Sequence, residues 1–200
     1  GDLLNLRRRD KFMSSTRQNI LVAPSILASD YSKLAVEIKR AEKAGADMFH
    51  IDIMDGHFVP NLTFGPGMVK TVRKQTKYFI DTHLMIDNPE KYIEAFAEAG
   101  SDGITIHVEV CKNLLKLINK LRKMGVKPGI SLNPETSYKK VLPYLKYVDM
   151  VLVMTVHPGF GGQKFMVSML NKIKAIDSFI KKEGYSAKIE VDGGISEQTA

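Results

Sequence analysis

A parallel α/β barrel, eight strands each followed by a helix, is the architecture the sequence predicts. Three observations carry it. From residue 19 onward short β-rich runs alternate with amphipathic helical runs, which implies a parallel sheet with helical crossovers. A faint repeat relates AGADMFHIDI at 44, AGSDGITIHV at 99 and VDMVLVMT at 148. Its spacing, about 50 residues per two strand–helix units, falls a little short of the roughly 31 per unit of a typical barrel. Polar residues recur at the C-terminal ends of the predicted strands: Ser25, Asp52, His83, His107, Asn133, Thr155 and Asp192. A doubly wound open sheet gathers ligands at one switch point. A barrel brings every strand end to one mouth, so the barrel is preferred.

The elements follow in order. ILVAPSIL at 20–27 reads as the first strand, and Leu34, Ile38 and Ala41 mark the inner face of a helix ending at Gly45. DMFHIDIM at 47–54 is the second strand, with a short helix near 66–75; YFIDTHLM at 78–85 is the third. Asn88-Pro89 opens the next helix, Asn as cap and Pro at the first helical position. GITIHVEV at 103–110 is the fourth strand, and Leu114, Leu117, Ile118 and Leu121 form a helical stripe behind it. KPGISL at 127–132 is the fifth, with a helix around 137–145, and DMVLVMTV at 149–156 is the sixth. Phe165, Met169, Ile173, Ile176 and Ile180 line another helix; KIEVDG at 188–193 is the seventh strand, and SEQTA begins one more helix. A barrel with seven strands would leave two unpaired edges. The expectation is therefore that an eighth strand and its helices follow Ala200.

Composition bounds the rest. The chain has 200 residues, 44% of them hydrophobic, which suits one catalytic domain over 19–200. Residues 1–18 carry Arg7, Arg8, Arg9, Lys11 and Arg17 with little apolar periodicity. They read as a disordered basic arm or an expression tag, with a remnant of an organelle-targeting peptide as the alternative. Cys111 is the one cysteine, so no internal disulfide forms and a reducing compartment, the cytoplasm, is expected. No apolar run approaches the roughly 20 residues of a membrane helix. The net charge of +7 fits a generic basic surface or attraction for an anionic partner, phosphorylated metabolite or nucleic acid. Against nucleic acid, the lysines are spread over helix surfaces and no stacking or finger motif appears.

Residues i and i+2 of a strand share a face. His50, Asp52 and Met54 therefore point together into the barrel, as do His83 and Met85 from the third strand, while EVDGG brings Asp192 to the same rim. A buried pair satisfying itself would explain His50 and Asp52 alone. Two imidazoles and two carboxylates from three strands point instead to one divalent cation. Mixed nitrogen and oxygen ligands suit Zn first, and also Fe(II), Mn or Co. Asp55-Gly56 reads as a turn, and His57 and His107 as locally satisfied polar groups. Met54, Met85 and Met154 read equally as core filler or as an apolar lining over the site. In HPGFGGQKF, Gly159, Gly161 and Gly162 free the backbone to present N–H groups before a helix start, and Gly193-Gly194 forms a second such pair. Two N–H-rich loops late in a barrel make its usual phosphate site.

APSILASD at 23, HIDIMDGHFVPN at 50, HLM at 83, TVHPGFGGQKF at 155 and EVDGGI at 190 together resemble the ribulose-phosphate 3-epimerase family, in order from about residue 19 to the end. The resemblance implies a TIM (β/α)8 barrel that interconverts D-ribulose 5-phosphate and D-xylulose 5-phosphate in the pentose phosphate pathway. It implies His50, Asp52, His83 and Asp192 as metal ligands, Asp52 as proton acceptor and Asp192 as proton donor. It implies substrate contacts from Ser25, His83, Gly159, Phe160, Gly161, Gly162, Asp192, Gly193 and Gly194, and a homo-oligomer, dimer or hexamer. The rivals are an epimerase or isomerase of a six-carbon ketose phosphate and, from another class, a basic nucleic-acid-binding module.

Overall fold

The computed structural model describes residues 20–199; the basic arm expected over 1–18 lies outside them. Six parallel strands form one sheet in sequence order: β1 (Met48–Met54), β2 (Phe79–Met85), β3 (Gly103–His107), β4 (Lys127–Leu132), β5 (Met150–Met154) and β6 (Lys188–Asp192). Among the described residues five α-helices accompany them: α1 (Leu34–Lys43), α2 (Pro66–Gln75), α3 (Ile93–Ala99), α4 (Leu114–Lys123) and α5 (Met169–Glu183).

The sheet is curled, and a single contact demonstrates it. In a flat sheet β1 and β6 would stand about 24 Å apart, five spacings of about 4.8 Å. Yet His50 Nδ1 on β1 lies 3.3 Å from Glu190 Oε1 on β6. The curl follows from two-sided burial. Outward residues Phe49, Ile51, Ile53, Ile80, Leu84, Ile104, Ile106, Ile130, Val151 and Val153 pack with Ile38, Val69, Val72, Phe96, Leu117, Ile118, Leu121 and Ile176 of the helices. The alternate residues face inward in layers. Met48, Phe79 and Met150 close the N-terminal end, and polar side chains fill the space toward the strand C-termini.

The recurring aspartate of the internal repeat has a physical task. Asp47 Oδ2 accepts the Val22 N–H at 3.1 Å, and Asp102 Oδ2 accepts the Ile80 N–H at 3.0 Å and the Arg73 guanidinium at 2.6 Å. Asp149 faces Arg122 and Lys127. Each pins the start of its strand to a neighbour.

Several expected elements differ. Residues 20–27 are not a strand. Val22 and Pro24 carbonyls accept N–H bonds from Asp47 and His50, and Ser25 bridges His50. However, Pro24 has no N–H to return, and Ser25 Oγ accepts from Leu27 N and starts a 3₁₀ turn at Ile26–Ala28. Asn88 makes no side-chain cap, and Pro89–Lys91 is a 3₁₀ turn preceding α3. The stretch around 137–145 is two 3₁₀ segments, Tyr138–Lys140 and Leu142–Tyr147, because Pro143 limits helical bonding there. The fourth predicted strand stops at His107, where a turn begins. Phe165 precedes α5, and residues 197–199 form a turn rather than an established helix.

Candidate active site

The strands deliver their inward side chains in register. Asp52 is paired with His83 and Met54 with Met85 across β1 and β2, and Met154 with Asp192 across β5 and β6. Asp52 lies between two imidazoles: its Oδ1 is 3.2 Å from His50 Nε2 and 3.3 Å from His83 Nδ1. Its Oδ2 accepts the Ser25 hydroxyl at 2.6 Å. Asp192 comes from the opposite side of the curled sheet. His50, Asp52, His83 and Asp192 each place one donor atom within 4.8 Å of the others. The expected four residues therefore converge, and Ser25 joins them through Asp52.

A second set of groups lies one layer deeper. His50 Nδ1 sits 3.1 Å from Asp81 Oδ2 and 3.3 Å from Glu190 Oε1, while Asp81 Oδ1 accepts the Thr105 hydroxyl at 3.0 Å. Beyond His83, the His107 ring stacks at 5.0 Å between centroids, its Nε2 2.9 Å from His83 Nε2. His107 Nδ1 faces Glu109 at 3.1 Å. Asp81, Glu190, His107 and Glu109 were given no part by the sequence reading. Period-two alternation held the signal for three of them, because Asp81 shares a face with His83, Glu190 with Asp192, and His107 ends β3.

The electrostatics are unequal around this cluster. Burial opposes charge on His50, but Asp52, Glu190 and Asp81 outweigh it and hold its pKa well above the ordinary imidazole value. Burial likewise opposes the Asp52 carboxylate, and His50 beside it more than compensates, so its pKa lies well below the usual range. Asp192 is pushed upward, by burial first and then by Asp52. Glu190 is pushed up to about 7 by burial and by Asp81 and Asp192. Burial lowers His83 and His107.

The residues fit a divalent cation on structural grounds. Neither ring nitrogen of buried His50 completes a hydrogen bond, and Asp81 Oδ2 and Glu190 Oε2 also lack one. Two nitrogens and two carboxylate oxygens within reach of each other are the donor set of a Zn-, Fe-, Mn- or Co-type site. A cation would displace the His50 proton, as metal binding to imidazole requires.

The glycine loops lie at the same mouth. Gly193 and Gly194 have φ of +113° and +69°, and a Cβ at either would run into Val156 or the Phe165 backbone. The backbone N–H groups of Gly161, Gly162, Gly193 and Gly194 donate to no other described residue. Asn61 Nδ2 donates to the Gly159 carbonyl at 2.7 Å, tying the loop after β1 to the loop after β5. Phe160 is exposed at the loop tip. Met54 and Met85 pack together with Val59, whereas Met154 sits in a separate cluster with Leu152 and Val156. Asp55 is a turn residue, accepting N–H bonds from His57, Phe58 and Asp87.

The chain is similar to known proteins in sequence and in fold. A curated ribulose-phosphate 3-epimerase of Bacillus subtilis is 50% identical over 182 residues, 90% of this chain and 84% of that protein. The cytoplasmic isoform of Oryza sativa subsp. japonica is 48% identical over 182 residues, 89% of this chain and 78% of that protein. The tryptophan synthase alpha subunit of Legionella pneumophila superposes with a TM-score of 0.61 at 17% identity, over 94% of this chain and 78% of that one, a likeness of TIM-barrel fold alone. The sequence profile described as the Ribulose-phosphate 3 epimerase family matches residues 21–200. With its strand-end carboxylates and imidazoles on a curled parallel sheet, the chain belongs to the ribulose-phosphate 3-epimerase family and is an isomerase.

Proposed function

We propose that the chain interconverts D-ribulose 5-phosphate and D-xylulose 5-phosphate by inverting C3 through an enediolate, with residues 19–200 acting as one catalytic domain. The observation that carries this reading is the convergence of Asp52 and Asp192 from β1 and β6, each with a carboxylate oxygen within 4.8 Å of the other and of His50 and His83. Inversion needs a proton removed from one face of C3 and another returned to the opposite face, and one base does not serve both. Asp52, held ionised beside His50, takes the proton in the ribulose-to-xylulose direction. Asp192, whose surroundings favour the protonated acid, delivers one; in reverse the roles exchange. Pairs of acids whose environments differ in this way are suited to such a division.

His50, Asp52, His83 and Asp192 would hold one divalent cation, zinc first. When bound, it supplies Lewis-acid polarisation of the ketose oxygens. Ser25 orients Asp52 through its hydroxyl. Met54 and Met85 keep water from the reacting carbon on their side, which strengthens the electrostatics there. The free N–H groups of the Gly159–Gly162 loop and of Gly193-Gly194 suit the phosphate, so binding energy at that end positions C3 between the two acids. A homo-oligomer in the cytoplasm, with no nucleic-acid or membrane partner, belongs to the same reading; no helix among the described residues is long and apolar enough to cross a membrane.

The test pairs elemental analysis of the purified protein with turnover of ribulose 5-phosphate in heavy water. One divalent ion per chain and deuterium at C3 of the product are expected, with loss of activity on chelation. Full retention of the original hydrogen at C3 ends the two-acid scheme. Faster turnover of a six-carbon ketose phosphate would reassign the substrate.

A further inference from the structure

His83 and His107 meet through their Nε2 atoms at 2.9 Å. Two neutral imidazole nitrogens at that distance share one proton, so one ring donates and the other accepts. Both rings are fully buried, and two N–H groups cannot point at each other across 2.9 Å, so one of the two facing nitrogens is bare. The direction of the shared bond is set farther out. Glu109 Oε1 accepts the Asn133 N–H at 2.8 Å, and Oε2 faces His107 Nδ1 at 3.1 Å. Burial opposes the Glu109 charge, but His107 and the Asn133 and Thr136 donors outweigh it and pull its pKa down to about 2. A carboxylate has no proton to give, so His107 Nδ1 must be the donor. His107 Nε2 is then a bare lone pair, and the shared proton sits on His83 Nε2.

We infer that Glu109 and His107 are positioning residues that fix His83 as its Nε2–H tautomer, leaving His83 Nδ1 bare toward the cation site formed with His50, Asp52 and Asp192. This rests on His83 being a metal ligand, as in the proposed function. The opposite tautomer fails on its own terms. His83 Nδ1–H would donate to Asp52, His107 Nε2–H would donate to His83, and a bare His107 Nδ1 would face the Glu109 carboxylate in a buried site. Lone pair against lone pair there has nothing to relieve it. In the inferred arrangement the corresponding clash, bare His83 Nδ1 against Asp52 Oδ1 at 3.3 Å, lies where a cation relieves it. Ser131 Oγ, 3.4 Å from His83 Nε2, is a rotor that adapts to either direction.

Glu109→Gln tests the relay with little change of shape. Its amide must turn a donor toward either the Asn133 N–H or His107 Nδ1. The apoprotein is titrated with Zn²⁺ against a chromophoric chelator, and ring tautomers are read by ¹⁵N NMR on wild type, apo and zinc-loaded. Partners that orient a ligating histidine contribute roughly 10–100-fold in affinity, and a loss of that size is expected for Glu109→Gln. His107→Gln, which keeps an acceptor for His83 and a donor for Glu109, should retain more affinity than His107→Leu. Wild-type His107 should carry its proton on Nδ1. A folded Glu109→Gln with zinc affinity within threefold of wild type overturns the relay, as does a wild-type His107 protonated on Nε2. The NMR result stands whether or not the variants fold. If wild type takes up no zinc, manganese or cobalt, the metal reading fails, and the His107 tautomer in the apoprotein still upholds or overturns the relay's direction.

Discussion

Replacing Asp52 by asparagine removes one charge and almost no volume. In the structure, Asp52 Oδ2 receives the Ser25 hydroxyl and Oδ1 faces His50 and His83. The amide that takes the carboxylate's place can keep one of these contacts and must turn its NH₂ toward the other. Ser25 Oγ can accept that hydrogen as readily as it donates now, so the fold survives. Asparagine has no basicity to offer C3. A positioned acid or base contributes about 10²–10⁴-fold, so Asp52→Asn should lower kcat at least about a hundredfold. At about 1.36 kcal/mol per decade that is roughly 3–5 kcal/mol of barrier. A loss of cation affinity adds to it, because one of four donors is weakened. The assay is epimerisation of ribulose 5-phosphate with saturating divalent metal, alongside thermal unfolding of the apoprotein to show that the variant is folded. Retention of more than a tenth of wild-type turnover refutes the assignment of Asp52 as proton acceptor.

Two further outcomes are expected. Gly193→Ala places a side chain at φ +113° and against Val156; overpacking of this kind costs about 1–3 kcal/mol, read as a lower denaturant midpoint, and an unchanged midpoint contradicts the close approach. Glu109, depressed from 4.5 to about 2, contributes stability that is fully present above about pH 4.5 and lost as the pH falls toward 2. Wild type should therefore exceed Glu109→Gln in stability at neutral pH, with the gap closing through that acid window; a gap that persists at pH 2 would show that ionisation is not its source.

Much of the barrel was legible because one rule, alternation of faces, governs both its core and its site. His50, Asp52 and Met54 were readable as one inward row, and β1 places them so. The helical stripe Leu114, Leu117, Ile118 and Leu121 was readable because α4 buries all four. Residues 20–27 were misread because their apolar, β-branched composition suits a strand, while Pro24 and the Ser25 turn prevent a full ladder. Tyr138 to Tyr147 wound as 3₁₀ turns because Pro143 interrupts a pattern that otherwise has helical spacing. Glu109 was hidden for a different reason. The strand read over 103–110 put it on the face of His107, but in the structure it lies in the turn past the end of β3, and its meeting with His107 and Asn133 depends on how that turn meets the end of β4.

The Asn61–Gly159 bond joins segments 98 residues apart in the chain. One sits just past the carboxylate-bearing strand, the other in the glycine loop. If the glycine loop takes the phosphate as proposed, this single amide latch would carry any shift of that loop to the segment beside the carboxylate-bearing strand, so that grip on the anionic tail would be felt as alignment near the reacting carbon.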